Sequence, residues 1–448
     1  MDGKLIYSGA GGYADIKNKI PTTPHSLFRV ASVTKSFTAM AIVKLRDEGH
    51  LRLDDPISLY IPESKNWQLT QDAPAVTIRH LLTHGSGLPQ DDPWGDRKLA
   101  ASNEALVAIL KSGPSASTPV GTAYEYSNLS FSILGYIIKQ ASGLSYQDYI
   151  AKNIWQPLGM TQVAWEFARV PPKELVHGYK WQYGRWQEEP LLHDGSFAAM
   201  GGMIASIDSF SRYVALHLSA WPARDDREEG PVKRRSLREM HHPWNFEDLV
   251  DYKLPDGSAC ALVKAYGYGL RWWRDCKTNV YIKHSGGLPG FGSNWTIMPE
   301  YGIGVILFAN ATYAPADDIN FQVLNKLIEI AALKPRELPN SAILKERQAA
   351  LIDCLPHWNQ GINKTIFADN FFQDNSLKAL QQETQRIFTH AGKIDRIGEM
   401  KALNQLRGHF LMYGEKADIE ISFTLTPESP PLIQSFQIKE IEKSTKIA

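Results

Sequence analysis

Residues 31–50 read ASVTKSFTAMAIVKLRDEGH. Phe37 to Val43 is apolar apart from Thr38, and a helix that apolar around its whole circumference is usually buried. The helix is expected to follow Ser32 and to run to about Glu48, with Gly49 as its C′ residue. Ser32 stands at its N-terminal end and Lys35 in its first turn; at i and i+3 of a helix they share a face. At a helix N-terminus, unpaired N–H groups and the positive end of the dipole favour developing negative charge. A lysine held in apolar surroundings binds its own proton less tightly and becomes able to take one. S-x-x-K opening a buried helix therefore reads as a nucleophile beside its base. The bland alternative is an N-cap serine followed by a surface lysine, and the short motif alone does not separate the two.

Two other stretches carry matching chemistry. AYEYSNLS (123–130) contains Tyr126 and Asn128. A tyrosine beside lysine cations is expected to have a depressed phenol pKa and to serve as a general base. Asn128 can donate and accept, which suits gripping an amide. YIKHSGGLPGFGSNW (281–295) places His284, Ser285, Gly286 and Gly287 at the end of a strand. Glycines there let a substrate backbone lie against the strand edge, and a strand N–H can point at a carbonyl oxygen as an oxyanion donor.

The trio S-V-T-K, Y-S-N and H-S-G, in this order, resembles the penicillin-recognising serine hydrolases, in the branch of class C β-lactamases, D-Ala-D-Ala carboxypeptidases and esterases. LFRVASVTKSFTA, LRLDDPISLYIPE, TIRHLLTHGSGL, PVGTAYEYSNLSFSILGYII, IWQPLGMT, AAMGGMIASIDSFSRY and HSGGLPGFGSNW support it, across residues 4–331. The resemblance implies Ser32 as the acylated nucleophile, Lys35 sharing its proton, and Tyr126 as partner base. It implies Asn128 on the substrate's amide side, His284, Ser285 and Gly286 lining the substrate strand, and an oxyanion hole from the backbone N–H of Ser32 and Gly287. Many members carry Lys-Thr-Gly where this chain has His284-Ser285-Gly286. Lysine is a permanent cation that helps hold a substrate carboxylate, whereas histidine is only partly charged at neutral pH. The departure favours esterase-like and peptidase-like relatives over an efficient β-lactamase. Relatives also carry a helix and a strand ahead of the stretch matching DGKLIYSG, and that strand lies inside the sheet. The present chain opens on that stretch, leaving a strand's place in the sheet to be filled.

The expected fold is an α/β (α+β) sandwich of the β-lactamase/transpeptidase type, with an antiparallel sheet flanked by helices. Residues 1–333 form the hydrolase domain, with a helical region inserted at about 77–265. Residues 334–340 (two prolines and mixed charge) form a linker, and 341–448 form a small α+β accessory domain with a loose likeness to cystatin-like and nuclear-transport-factor-like modules. Residues 4–8 (KLIYS) read as a strand closed by glycines. NVYIKHSG, SNWTIMPE and IGVILFAN read as three consecutive antiparallel strands, and DDINFQVLNKLIEIAAL as a helix covering them. In the accessory domain a helical stripe runs from Leu377 to Ala391, followed by strand-like runs at 394–402, 405–413, 417–426 and 432–438.

The bulk properties narrow the partners. The 448 residues carry 48 basic and 48 acidic side chains, so no global field draws nucleic acid or an anionic membrane. The mixed run at 224–240 reads as a solvated face. No apolar run reaches transmembrane length and no signal peptide stands at Met1. As written the chain reads as cytoplasmic; a shortened start would hide an export signal. Expected partners are a small ester, peptide or β-lactam-like substrate and, through the C-terminal domain, other copies of the chain. No cofactor or metal is called for. His80 and His84 have a zinc-helix spacing without the intervening glutamate, and His241-His242 read as surface. Three cysteines make no framework, and Cys260 pairs with Cys276 only if a hairpin joins them, unpaired burial being the commoner case. Trp272-Trp273 and the Tyr266–Gly269 stretch suit a cleft or a core equally. Function is thus expected to be acyl-enzyme hydrolysis of an ester or a D-amino-acid amide; the alternatives are a true β-lactamase and a non-hydrolytic penicillin or peptidoglycan sensor.

Overall fold

The computed structural model describes residues 1–67, 72–224, 226–253, 257–358 and 365–443. These divide into two compact units, Met1–Pro335 and Arg336–Ala448.

The first unit is built on a six-stranded antiparallel meander: β1 (Asn245–Lys253), β2 (Ala259–Tyr266), β3 (Arg271–Arg274), β4 (Val280–Leu288), β5 (Phe291–Met298) and β6 (Ile303–Ala309), in spatial order β6-β5-β4-β3-β2-β1. β5 is buried along its whole length, so it lacks the alternation of a half-wet strand and is apolar or uncharged on both faces. Register pairs His284 with Trp295 and Gly286 with Ser293. Paired residues share a face, and on this face Trp295 packs on Phe210, Tyr213 and His217 of the helix Ile207–Ser219. The opposite face meets Ala316–Ile330, whose Phe321 packs on Tyr252, Trp273 and Tyr281.

The apolar stretch quoted first forms α1 (Thr34–Asp47), entered through a 3-10 turn at Ala31–Val33. Every residue of α1 from Thr34 to Val43 is buried. It packs against α2 (Asn128–Ser142), whose N-terminus Ser127 caps by accepting from the Ser130 N–H and whose end is Gly143 in the left-handed region, φ 73.

Several expectations need correction; among them His241, read as surface, is buried against His217 and Trp221. Residues 245–266, read as part of the helical insertion, are β1 and β2. Burial alternates along both strands, and Asp248 and Asp251 of NFEDLVDYK sit on exposed positions of the edge strand β1, masking the strand signal. Residues 4–8 are not a strand; Leu5, Ile6 and Tyr7 are exposed. β6 is an edge strand; the N-terminal segment bonds the residues flanking it, through the Asp2 N–H on the Gly302 carbonyl (2.8 Å) and Asn310 Nδ2 on the Tyr13 carbonyl (3.0 Å), and Phe28 packs on Phe308. Cys260 and Cys276 are joined in a disulfide, Cα atoms 5.3 Å apart, because the β2–β3 hairpin brings them together.

The second unit packs helices Ala342–Cys354 and Leu377–Ala391 with a five-stranded antiparallel sheet. The expected run 394–402 is split into two strands, Ile394–Ile397 and Lys401–Asn404, around Gly398, whose N–H bonds the Leu411 carbonyl at 2.7 Å. Among the described residues no helix is long and apolar enough to cross a membrane.

Candidate active site

The turn that opens α1 is wedged against β4 and β5. Ser293 Oγ donates to the Val30 carbonyl at 2.6 Å, and the Val30 N–H reaches the Met203 carbonyl at 2.9 Å. A Cβ at Gly286 would lie 2.5 Å from the Val30 oxygen and 2.9 Å from the Ala31 Cβ, so only glycine lets β4 approach so closely. Ala31 takes a left-handed φ of 52°, an uncommon conformation for a residue with a side chain. It directs the chain into the 3-10 turn and sets Ser32, 7% exposed, at the junction of helix and sheet.

Lys35 is fully buried, and its Nζ donates to Ser32 Oγ (3.0 Å), Asn128 Oδ1 (2.6 Å) and the Met200 carbonyl (2.8 Å). Burial lowers its pKa to about 8; Asp92, Asp96 and Asp91 oppose that fall, and the Arg271 guanidinium adds to it. The first two motif residues are thus joined as their spacing anticipates.

Tyr126 is also brought in: Lys35 Nζ lies 4.8 Å from its ring centroid, and the Ser32 hydroxyl is near enough to pull the phenol pKa down. Its expected depressed pKa is not found. Burial pushes the phenol well above its ordinary value and Asp92 pushes the same way, outweighing the Ser32 hydroxyl and Arg271. Tyr126 therefore stays a neutral phenol at working pH, because desolvation of a phenolate costs more than nearby cations return.

Asn128 is fully buried and engaged at both ends. Its Oδ1 accepts from Lys35, and its Nδ2 donates to Asp92 Oδ1 at 3.0 Å.

His284 faces the same side as Gly286. Its Nδ1 lies 2.6 Å from the Ser285 carbonyl, an acceptor, so Nδ1 carries the proton; its Nε2 then accepts from the Tyr266 hydroxyl at 2.8 Å. Burial, with Lys35 and Arg271 nearby, holds its pKa well below the ordinary value, so it is an uncharged imidazole. The neighbouring Lys283 is no substitute cation, since it lies on the other face of β4 paired with Asp317 at 2.6 Å. Trp273 lies on that face too, beneath Lys283. Gly287 also points to that side, where an added Cβ would meet the Tyr313 ring at 2.5 Å. β3 pairs with β4 only as far as Lys283, which leaves His284 to Leu288 without a strand partner on that side among the described residues.

Several participants escaped the sequence reading. His84, buried with φ 55°, accepts from the Ser127 N–H through Nδ1 at 3.0 Å and packs its ring 4.4 Å from that of Tyr126. It positions the tyrosine loop. Arg271, paired with Glu247, stands 5.4 Å from the Tyr126 ring. The turn Asp91–Asp96 sits directly on the Y-S-N motif. Asp91 caps α2 by accepting from the N–H groups of Asn128 (2.6 Å) and Leu129 (2.9 Å), and a Cβ at Gly95 would lie 2.7 Å from that of Asn128. DDPWGD is indistinguishable in sequence from a solvated loop. Its one available signal is a pair of acids that could complement a helix N-terminus 36 residues further on, a partner no local window can see.

A buried serine–lysine pair at the mouth of an apolar helix, set against the free edge of an antiparallel strand, is the arrangement of the serine β-lactamases and penicillin-binding proteins. The profile described as Beta-lactamase matches residues 1–327, and the chain belongs to that family. Penicillin-binding protein 4* of Bacillus subtilis strain 168 is 32% identical over 445 residues, covering 94% of this chain and 88% of that protein. Protein flp of Staphylococcus aureus strain COL is 27% identical over 334 residues, 72% of this chain; the chain spans only 61% of that relative's length. Among solved structures, the octameric penicillin-binding protein homologue from Pyrococcus abyssi is similar with TM-score 0.62 at 24% identity, covering 99% of this chain and 88% of that one. A penicillin binding protein from Bacillus halodurans gives TM-score 0.54 at 24% identity, over 71% of this chain and 90% of its own. Both structural likenesses bear on fold alone.

Proposed function

We propose that the protein is a serine hydrolase that works through an acyl-enzyme on esters or on amides of the D-amino-acid type. The observation that carries this reading is the 3.0 Å contact between Lys35 Nζ and Ser32 Oγ, with the lysine pKa lowered to about 8. In the neutral lysine fraction the Ser32 proton passes to Lys35 as Oγ attacks the substrate carbonyl carbon. Tyr126, a neutral phenol, gives its proton to the leaving group and regains one from Lys35. Reversing the relay with water in place of the leaving group releases the acid. The N–H groups of Ser32 and Gly287 hold the oxyanion, and Ser285 and Gly286 line the strand along which the substrate lies.

The uncharged His284 supports ester and simple amide substrates over those recognised by a carboxylate. The penicillin-binding reading keeps one specific support, the extended likeness to penicillin-binding protein 4*. A panel of p-nitrophenyl acetate, a D-amino-acid p-nitroanilide and a chromogenic cephalosporin, run on wild type and Ser32→Ala, tests the set. Expected are multiple turnovers of the ester or the anilide and a loss of at least about a thousandfold, roughly 4 kcal/mol, in Ser32→Ala. Fast cephalosporin turnover would replace this reading with the β-lactamase. A single burst with a stable adduct on Ser32 by intact mass would replace it with the sensor. Self-association through the second unit is likewise a proposal, tested by light scattering on the full chain.

A further inference from the structure

The free edge of β4 has two distinguishable ends. At one, the Tyr126 ring lies 6.4 Å from that of His284. At the other, the Tyr313 ring rests on Gly287, so closely that an added Cβ would come within 2.5 Å of it. Tyr313 does not stop at the sheet. Its hydroxyl donates to Asp96 Oδ2 at 2.8 Å, and Asp96, 3% exposed, belongs to the turn seated on Asn128. One hydrogen bond therefore joins the sheet wall of the cleft to its helical wall.

This bridge is built into the fold. Tyr313 has a φ of 51°, in the left-handed region where a bulky residue is a genuine outlier and persists only when its surroundings hold it. They do. Its N–H bonds the Phe291 carbonyl at 3.2 Å, the preceding Thr312 N–H bonds the Tyr179 carbonyl at 2.8 Å, and Thr312 Oγ1 accepts from the Gly290 N–H at 2.8 Å. Tyr313 is 54% exposed, so it stands at the outside of the cleft and is not part of the core.

We propose that Tyr313, latched to Asp96, closes the acyl end of the cleft and restricts the enzyme to short acyl groups. The inference rests on the hydrolase reading above. There the leaving group faces Tyr126, beside His284, so the acyl group must extend towards Gly287 and the bridge. A chain longer than a few carbons meets the Tyr313–Asp96 wall.

The test compares kcat/KM for p-nitrophenyl acetate, butyrate and octanoate in wild type, Tyr313→Phe, Tyr313→Gly and Asp96→Ala, with Ser32→Ala as background. Wild type is expected to fall at least tenfold from acetate to octanoate. The octanoate-to-acetate ratio is expected to rise severalfold in Tyr313→Phe and Asp96→Ala, which lose the latch, and at least tenfold in Tyr313→Gly. Glycine suits the left-handed backbone, so this variant is the one expected to fold without difficulty. Using the ratio cancels the effect that loss of the Asp96 charge has on Lys35. A ratio within twofold of wild type in Tyr313→Gly, or a wild type that already prefers octanoate, overturns the inference while Ser32-dependent turnover leaves the hydrolase reading intact. Absence of Ser32-dependent turnover of every ester overturns the hydrolase reading, and this inference with it.

Discussion

Replacing Asp92 by Asn should shift the ascending limb of the rate profile, on which Lys35 loses its proton, to lower pH. The Asn128 amide links Lys35 to Asp92 through contacts of 2.6 and 3.0 Å, and an amide's oxygen and nitrogen are about 2.2 Å apart. The two charges are therefore at most about 8 Å from each other. At an effective dielectric of about 20 their attraction is about 2 kcal/mol, or roughly 1.5 pH units. Asp92 is partly exposed, and water there trims the shift to about one unit. Asn retains an oxygen to accept from Asn128 Nδ2, so the geometry survives while the charge is lost. Lys35 sits at about 8 in the wild type, with Asp92 the largest influence holding it up. The kcat/KM of p-nitrophenyl acetate, a substrate that does not itself titrate, is measured from pH 6 to 10 at constant ionic strength. Expected are a limb of unit slope with midpoint near 8 in wild type and near 7 in Asp92→Asn. At pH 7 the neutral lysine fraction then rises from about one tenth to about one half, for a rate gain of about fivefold. A midpoint that stays put or moves upward refutes Lys35 as the titrating base.

Three other outcomes follow from the same structure. Tyr126→Phe should lower kcat/KM by about a hundredfold to ten-thousandfold and keep the limb near pH 8, since the limb belongs to Lys35; a limb that disappears with the phenol would transfer the base role to Tyr126. Reducing the Cys260–Cys276 disulfide, separated by 16 residues, should lower stability by about 3 kcal/mol. Denaturant midpoints with and without reductant measure it, and the unreduced, denatured protein should show one reactive thiol, that of Cys354. Acid should weaken the fold through His217 and His241, buried with Nδ1 and Nε2 2.8 Å apart and Trp221 Nε1 donating to His241 Nδ1 at 2.9 Å. Burial holds both pKa values down, that of His241 to about 3. Their contribution is complete above the unfolded value of about 6.5 and is lost as pH falls below it, by about 2 kcal/mol per histidine at pH 5. Urea midpoints at pH 7 and 5 should differ less in a His217→Leu/His241→Leu variant.

Local spacing along the chain is enough to establish α1, the Ser32–Lys35 pair at its N-terminal end, and the β4–β5–β6 meander, because helical and strand periods and a three-residue offset are properties of a short window. Beyond that window the reading falters for identifiable reasons. β1 carries acids on an exposed edge, and the pairing of Cys260 with Cys276 depends on the hairpin of β2 and β3. The charge states at the site were misjudged because burial and Coulomb fields are sums over residues far apart in sequence. Neighbouring cations suggested an acidic Tyr126, yet its enclosure by His84, Tyr266 and α2 makes it neutral. Only the folded arrangement sets Asp92 behind Asn128 and Tyr313 on Gly287, since these contacts join segments 36 and 26 residues apart. Which residues could do chemistry is therefore written in the order of the chain; which protons they hold, and what their cleft admits, is decided by packing that removes water and brings distant charges within a few ångströms.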